Sequence, residues 1–220
     1  MKTMSYLTAC AVILAVSILF LSKAPAMAET ARDYFDTATR QAQEGALELA
    51  EETFKKAIQL EPAMAGPAYF RLAMACMQHK KPDRAVAYYE KAIEYNPEQT
   101  IIYVNLANAY MSMGDFDKTV ETYKKIISMN SKEAWPHFNL ANLYLQRGLF
   151  SDAAESFERA VEIDPSKFPG IHEKLGYAYQ MTKNYTRAIK AYEKEVEQNP
   201  KAYMSYYNMG LCYYLSLIHI

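Results

Sequence analysis

Tyr103-Val104-Asn105-Leu106-Ala107-Asn108-Ala109-Tyr110 places Tyr103, Leu106, Ala107 and Tyr110 at i, i+3, i+4 and i+7, the spacing of one helix face. Gly114-Asp115 then interrupts the pattern. Glycine suits a turn and aspartate caps a new helix. A second helical pattern carries Val120, Tyr123, Ile126 and Ile127 and stops at Asn130-Ser131. The unit is a pair of helices joined by a tight turn.

The same stop recurs along the chain. Leu60-Glu61-Pro62, Tyr95-Asn96-Pro97, Ile163-Asp164-Pro165 and Gln198-Asn199-Pro200 close other apolar-patterned stretches, and Met129-Asn130-Ser131 holds the same place without the proline. The steps between these marks are 35, 34, 34 and 35 residues. A period that steady signifies one structural unit repeated. Proline cannot continue a helix and moves the residue before it out of helical geometry. In the second helices Ala50, Ala85, Ala92, Ala153, Ala160 and Ala188 recur beside Phe54, Tyr89, Phe157 and Tyr192. Small residues let helices approach, and the aromatics fill the space beside them. One pair cannot bury its own apolar faces but a stack can. The expected fold is therefore all-α: an α-solenoid of helix-turn-helix repeats coiled into a right-handed superhelix.

Composition agrees. Of 220 residues, 51% are hydrophobic and 22% charged, which is too apolar for a disordered chain. Only 7 glycines against 19 tyrosines favours helices over a turn-rich β fold. The net charge is −1, and no basic stripe of the kind that binds nucleic acid is visible. No nucleophile–base pattern, phosphate loop or paired Cys or His ligand set is present, so the expectation is a chain that is not an enzyme and holds no metal or cofactor. Lys55-Lys56, Lys124-Lys125 and Glu51-Glu52 read as solvated helix faces.

The repeat resembles the tetratricopeptide repeat, in an exported protein of bacterial type. Asn105-Leu106-Ala107-Asn108-Ala109-Tyr110 and Asn139-Leu140-Ala141-Asn142-Leu143-Tyr144 are similar to its first-helix core, and Ala153, Phe157, Ala160 and Pro165 to its second-helix signature. The domain is expected over 29–214, with repeats at 31–65, 66–99, 100–133, 134–168 and 169–202 and a partial one at 203–214. The first repeat departs at Thr37 and Gln41, where Leu and Tyr are usual, as suits a terminal unit facing solvent. The fifth departs at Glu195, where Ala is usual.

The resemblance implies a concave groove lined by the first helices, in which a partner peptide or helix lies. Carried over position by position, that groove takes Phe70, Met74 and Met77, then Ile101, Val104, Asn108 and Met111, then Trp135, Phe138, Asn142 and Leu145, then Glu173, Tyr177 and Gln180. Aromatics and Met supply adaptable apolar contact, and Asn can serve both a donor and an acceptor of an extended backbone. The alternative for Asn105, Asn108, Asn139 and Asn142 is that they are ordinary residues of the repeat. Some relatives clamp a C-terminal carboxylate with Lys and Arg. The matching positions here carry Phe70, Val104, Trp135 and Asn139, so no such clamp is expected, and Arg71 alone does not make one. His137 and His172 stand where Tyr34, Tyr69, Tyr103 and Tyr206 stand in other repeats, and read as packed substitutes for tyrosine rather than metal ligands.

The two ends read differently. Lys2, the apolar run from Tyr6 to Leu21 and Ala26-Met27-Ala28 form the three parts of a secretory signal, with cleavage expected after Ala28 and a periplasmic or secreted product. The rival is an uncleaved anchor facing outside the cytoplasm, which alone would bring a membrane into contact with the protein. Leu7-Thr8-Ala9-Cys10 resembles a lipoprotein box but precedes most of the apolar run, so lipidation is not expected. Export permits disulfides, yet Cys76 and Cys212 lie far apart in a linear stack and are not expected to pair. Residues 215–220, Leu-Ser-Leu-Ile-His-Ile, resemble the translated end of a sequencing transposon, and are expected to be a non-native tail on a truncated reading frame. The functional expectation is an extracytoplasmic scaffold that binds a still unidentified protein or peptide. The alternative is the recognition arm of a larger enzyme or of a membrane-anchored assembly factor.

Overall fold

A computed structural model describes residues 29–218. The signal-type segment 1–28 and the last two residues of the expected tail lie outside the described residues. Eleven α-helices follow one another among the described residues: α1 (Ala31–Gln43), α2 (Leu47–Leu60), α3 (Ala65–Gln78), α4 (Pro82–Tyr95), α5 (Thr100–Met113), α6 (Phe116–Met129), α7 (Ala134–Gln146), α8 (Phe150–Ile163), α9 (Ile171–Met181), α10 (Tyr185–Gln198) and α11 (Tyr203–Ile218). A single 3-10 turn, Pro62–Met64, precedes α3, and no strand occurs among the described residues. Odd-numbered helices are the first (A) member of each pair and even-numbered ones the second (B). Residues 215–218 continue α11 without a break.

Several boundaries have a local cause. Thr30 and Asp33 cap one another at the start of α1, and Asp115 and Asn184 accept the backbone N–H groups of Lys118 and Arg187 to start α6 and α10. The five complete B helices end alike: Glu61, Asn96, Asn130, Asp164 and Asn199 all leave helical geometry at φ between −130° and −151°. Three of those side chains then accept the N–H two residues on, Asn130 from Lys132, Asp164 from Ser166 and Asn199 from Lys201, so the polar residue itself makes the inter-repeat turn. Serine can therefore replace the proline at 131 without loss of the stop. Gly114 adopts φ +73°, a left-handed conformation that ends α5 and that side chains resist.

The core runs the length of the stack. Phe54, Tyr89, Tyr123, Phe157 and Tyr192 are all buried at one register of the B helices, with Ala38, Ala73, Ala107, Ala141 and Gly176 buried on their A-helix partners. One apolar cluster spans α1 to α5 and a second spans α5 to α11, and both draw on α5: Ile102, Leu106 and Ala109 serve the first, Tyr103 and Ala107 the second. Thr37 is exposed and Gln41 half-buried at the stack's beginning. Cys76 and Cys212 are buried and unpaired.

Glu195 departs from the small residue expected there for a local reason. α9 begins after Gly170, which has no side chain to cap it. The buried Glu195 carboxylate reaches across from α10 and accepts the Glu173 backbone N–H in the first turn of α9, at 3.3 Å. An acid at a helix N-terminus is favoured by the unsatisfied N–H groups and the helix dipole.

Candidate functional site

Curvature decides which face is concave. Consecutive A helices touch one another directly at α1–α3, α3–α5 and α9–α11, whereas among the described residues no comparable contact joins consecutive B helices. The A helices therefore line the inner wall and the B helices splay along the outer one.

On that inner wall the fourteen groove positions fall into two groups. Met74, Ile101, Met111 and Tyr177 are 41, 54, 49 and 42% exposed, large apolar side chains held in water by rigid helices. Asn108 is exposed beside them, and no hydrogen bond engages its amide among the described residues. Phe70, Met77, Val104, Trp135, Phe138, Asn142, Leu145, Glu173 and Gln180 are half-buried. Between α1 and α3 the wall opens into a cavity of about 200 Å³, floored by Met74 and Ala75 and edged by Thr39, Gln43, Arg71 and Gln78.

Several half-buried members already have partners. The Phe138 ring stacks on Phe168 at 4.2 Å between centroids and 5° between planes, and meets Phe157 edge-on at 5.9 Å. The Lys174 ammonium lies 5.0 Å from the Phe138 ring centre and donates to the Asn142 carbonyl oxygen at 2.6 Å. The Asn142 amide nitrogen donates to the Phe138 backbone oxygen at 2.8 Å, so both ends of that amide are engaged. Burial holds Lys174 below the usual ammonium range. The Gln180 carbonyl oxygen accepts from the Tyr192 hydroxyl at 2.8 Å. Asn105 likewise spends its amide on the Ile101 backbone oxygen, 2.8 Å away. The open apolar surface therefore lies mainly on α3 and α5, and the wall formed by α7 and α9 is partly closed by Phe168 and Lys174. Neither of those two was visible as a groove residue in the sequence. Phe168 belongs to the longer linker of a 35-residue unit, and Lys174 looks like one more solvated charge.

His137 and His172 do stand in for tyrosine on the helix faces expected of them. Burial lowers the pKa of both, helped by Arg159 near the first and Lys194 near the second. No group of three His, Cys, Asp or Glu side chains that could hold a metal ion occurs among the described residues.

Profiles of the tetratricopeptide repeat match residues 66–99, 98–166 and 173–202. The chain is built from tetratricopeptide repeats. Solved repeat structures superpose along most of it. The crystal structure of the MamA protein aligns at 22% identity over 80% of this chain and 94% of that one, with a TM-score of 0.62. YrrB, described as a TPR protein with an unusual peptide-binding site, aligns at 18% identity over 81% and 91%, with a TM-score of 0.60. A tetratricopeptide repeat protein from Parabacteroides merdae aligns at 19% over 84% and 73%, with a TM-score of 0.61. No curated protein sequence matches the chain. At these identities the likeness concerns the fold.

Proposed function

We propose that this tetratricopeptide-repeat chain is a protein-interaction scaffold that holds an extended peptide or a helix of a partner protein in its inner groove, chiefly on α3 and α5. The observation that carries this reading is the exposure of Met74, Ile101 and Met111 on one concave wall. Exposed apolar side chains gathered on one wall are a liability unless something covers them, and Met adapts its shape to many partners. The exposed amide of Asn108 lies at the same register as Met74 and can bond a partner's backbone.

A peptide-display library panned on the purified protein tests the groove. Met74→Glu, Ile101→Glu and Met111→Glu together place three charges where apolar contact is proposed, at exposed sites that leave the fold intact. They are expected to abolish enrichment, whereas Leu49→Glu on α2, also exposed, is expected to leave it unchanged. Undiminished enrichment by the triple variant, with its helical circular dichroism preserved, overturns the groove.

The site of action belongs to the same proposal. The signal-type pattern of residues 1–28 supports a location outside the cytoplasm, in the periplasm or beyond. No helix among the described residues is long and apolar enough to cross a membrane. Mass spectrometry of the protein expressed with its full N-terminus is expected to find a chain beginning at Glu29. A chain that retains residues 5–22 replaces the exported scaffold with a tethered one.

A further inference from the structure

Three shallow furrows run along the outer side of the stack. Each lies between two consecutive B helices and is floored by the A helix between them. The repeat places equivalent residues in all three, with Tyr103, His137 and His172 at one floor position. Their charges differ. The furrow over α5 sets Glu90 and Glu121 against Lys118 and Lys125. The furrow over α7 sets Asp152 and Glu155 against Lys124 and Arg159. The furrow over α9, about 280 Å³, sets Glu158 alone against Arg187, Lys190 and Lys194. Lys190 reverses the charge found at its register in both other furrows, Glu121 and Glu155, while Arg187 and Glu158 reverse Asp152 and Lys124 of the furrow over α7 and cancel one another.

The single acid is already satisfied. The Tyr179 hydroxyl donates to Glu158, and Arg187 Nη1 lies 3.4 Å from the same carboxylate. Glu195, beside Lys194 in sequence, turns its carboxylate to the Glu173 N–H instead. Lys190 and Lys194 are one turn apart on the same face of α10, and among the described residues neither has an ion pair. Like charges at that spacing repel. His172 in the floor is 2% exposed, and its Nδ1 is buried without a hydrogen-bond partner.

We propose that the furrow over α9 is a second binding site, distinct from the inner groove, which takes an oxyanion group between the Lys190 and Lys194 ammoniums and the His172 ring. A carboxylate or a phosphate meets the same requirement: oxygen acceptors for two charged donors above the His172 ring. A bound oxyanion also relieves the repulsion between the two lysines. The site stands apart from the groove, since none of its residues lies on the inner wall.

Ring-proton NMR of the purified protein at neutral pH tests it, with inorganic phosphate and N-acetylglutamate titrated separately against sodium chloride of equal ionic strength. The expected result is a saturable shift of the His172 resonances that chloride does not reproduce and that His137, over its charge-balanced furrow, does not share. Tighter saturation by phosphate assigns a phosphoryl source, and tighter saturation by N-acetylglutamate an acidic side chain. Lys190→Glu restores the residue type of the other two furrows, so it keeps the fold, and is expected to weaken binding about tenfold or more. Lys190→Gln, which removes the charge without reversing it, is expected to weaken it less. No saturable shift with either anion, an equal shift with chloride, or an equal shift at His137 overturns the proposal.

Discussion

Phe157→Ala is expected to destabilise the protein by about 3–5 kcal/mol, read as a fall in the urea midpoint. Phe157 is fully buried on α8 and its ring meets that of Phe138 on α7 edge-on. Truncation removes the transfer energy of the ring and leaves a cavity that rigid helices cannot close. Where the loss is felt matters as much as its size. In a solenoid each repeat contacts only its neighbours, so stability is close to a sum of repeat and interface contributions. Amide exchange should accelerate first in α7, α8 and α9, while α1 to α4 keep their protection. The same change should loosen Phe138, which Phe157 supports from behind and Phe168 from the groove side. A loss below about 1 kcal/mol, or one spread evenly over all helices, would contradict this account.

The fold was legible because period and residue size are both local signals. A 34- to 35-residue recurrence of stops, with small and aromatic residues alternating on the second helices, leaves a stacked helical pair as the natural packing. Proline marks most of the stops in the sequence, yet the polar residue before it shapes the turn, as Asn130 does with Ser131 following it. The groove was legible only as a set of register positions. Register says that Met111 and Phe138 face the same wall. It does not say that Met111 stays open while Phe138 lies against a linker aromatic and under a lysine. Those contacts depend on how one extra residue before α9 folds back, which no periodic pattern encodes. Glu195 was visible as a departure, but its use requires knowing that Gly170 leaves α9 uncapped. The reversal at Lys190 was equally readable from aligned repeats. It gains meaning only once the B helices splay and expose a furrow with His172 in its floor.

Gly176→Ala is expected to destabilise the protein by about 1–3 kcal/mol, although the same exchange within a helix ordinarily stabilises. Alanine is the natural residue at the equivalent positions Ala73, Ala107 and Ala141, so the repeat as such accepts a methyl group there. The fifth repeat does not. A Cβ at 176 would stand 2.7, 2.8 and 2.9 Å from three carbons of the Tyr192 ring, closer than van der Waals contact allows. Tyr192 cannot easily withdraw, because its ring is fully buried and its hydroxyl donates to Gln180 on the groove side of α9. The glycine thus leaves room for the Tyr192 ring against α9, where its counterparts carry a methyl group. A double-mutant cycle separates this contact from general intolerance of the site. In a Tyr192→Leu background the ring is gone, and Gly176→Ala should become neutral or stabilising, giving a coupling of the same size as the original loss. A neutral Gly176→Ala in the native background, or an equal loss in both backgrounds, would show that the seating of the Tyr192 ring does not depend on the missing side chain.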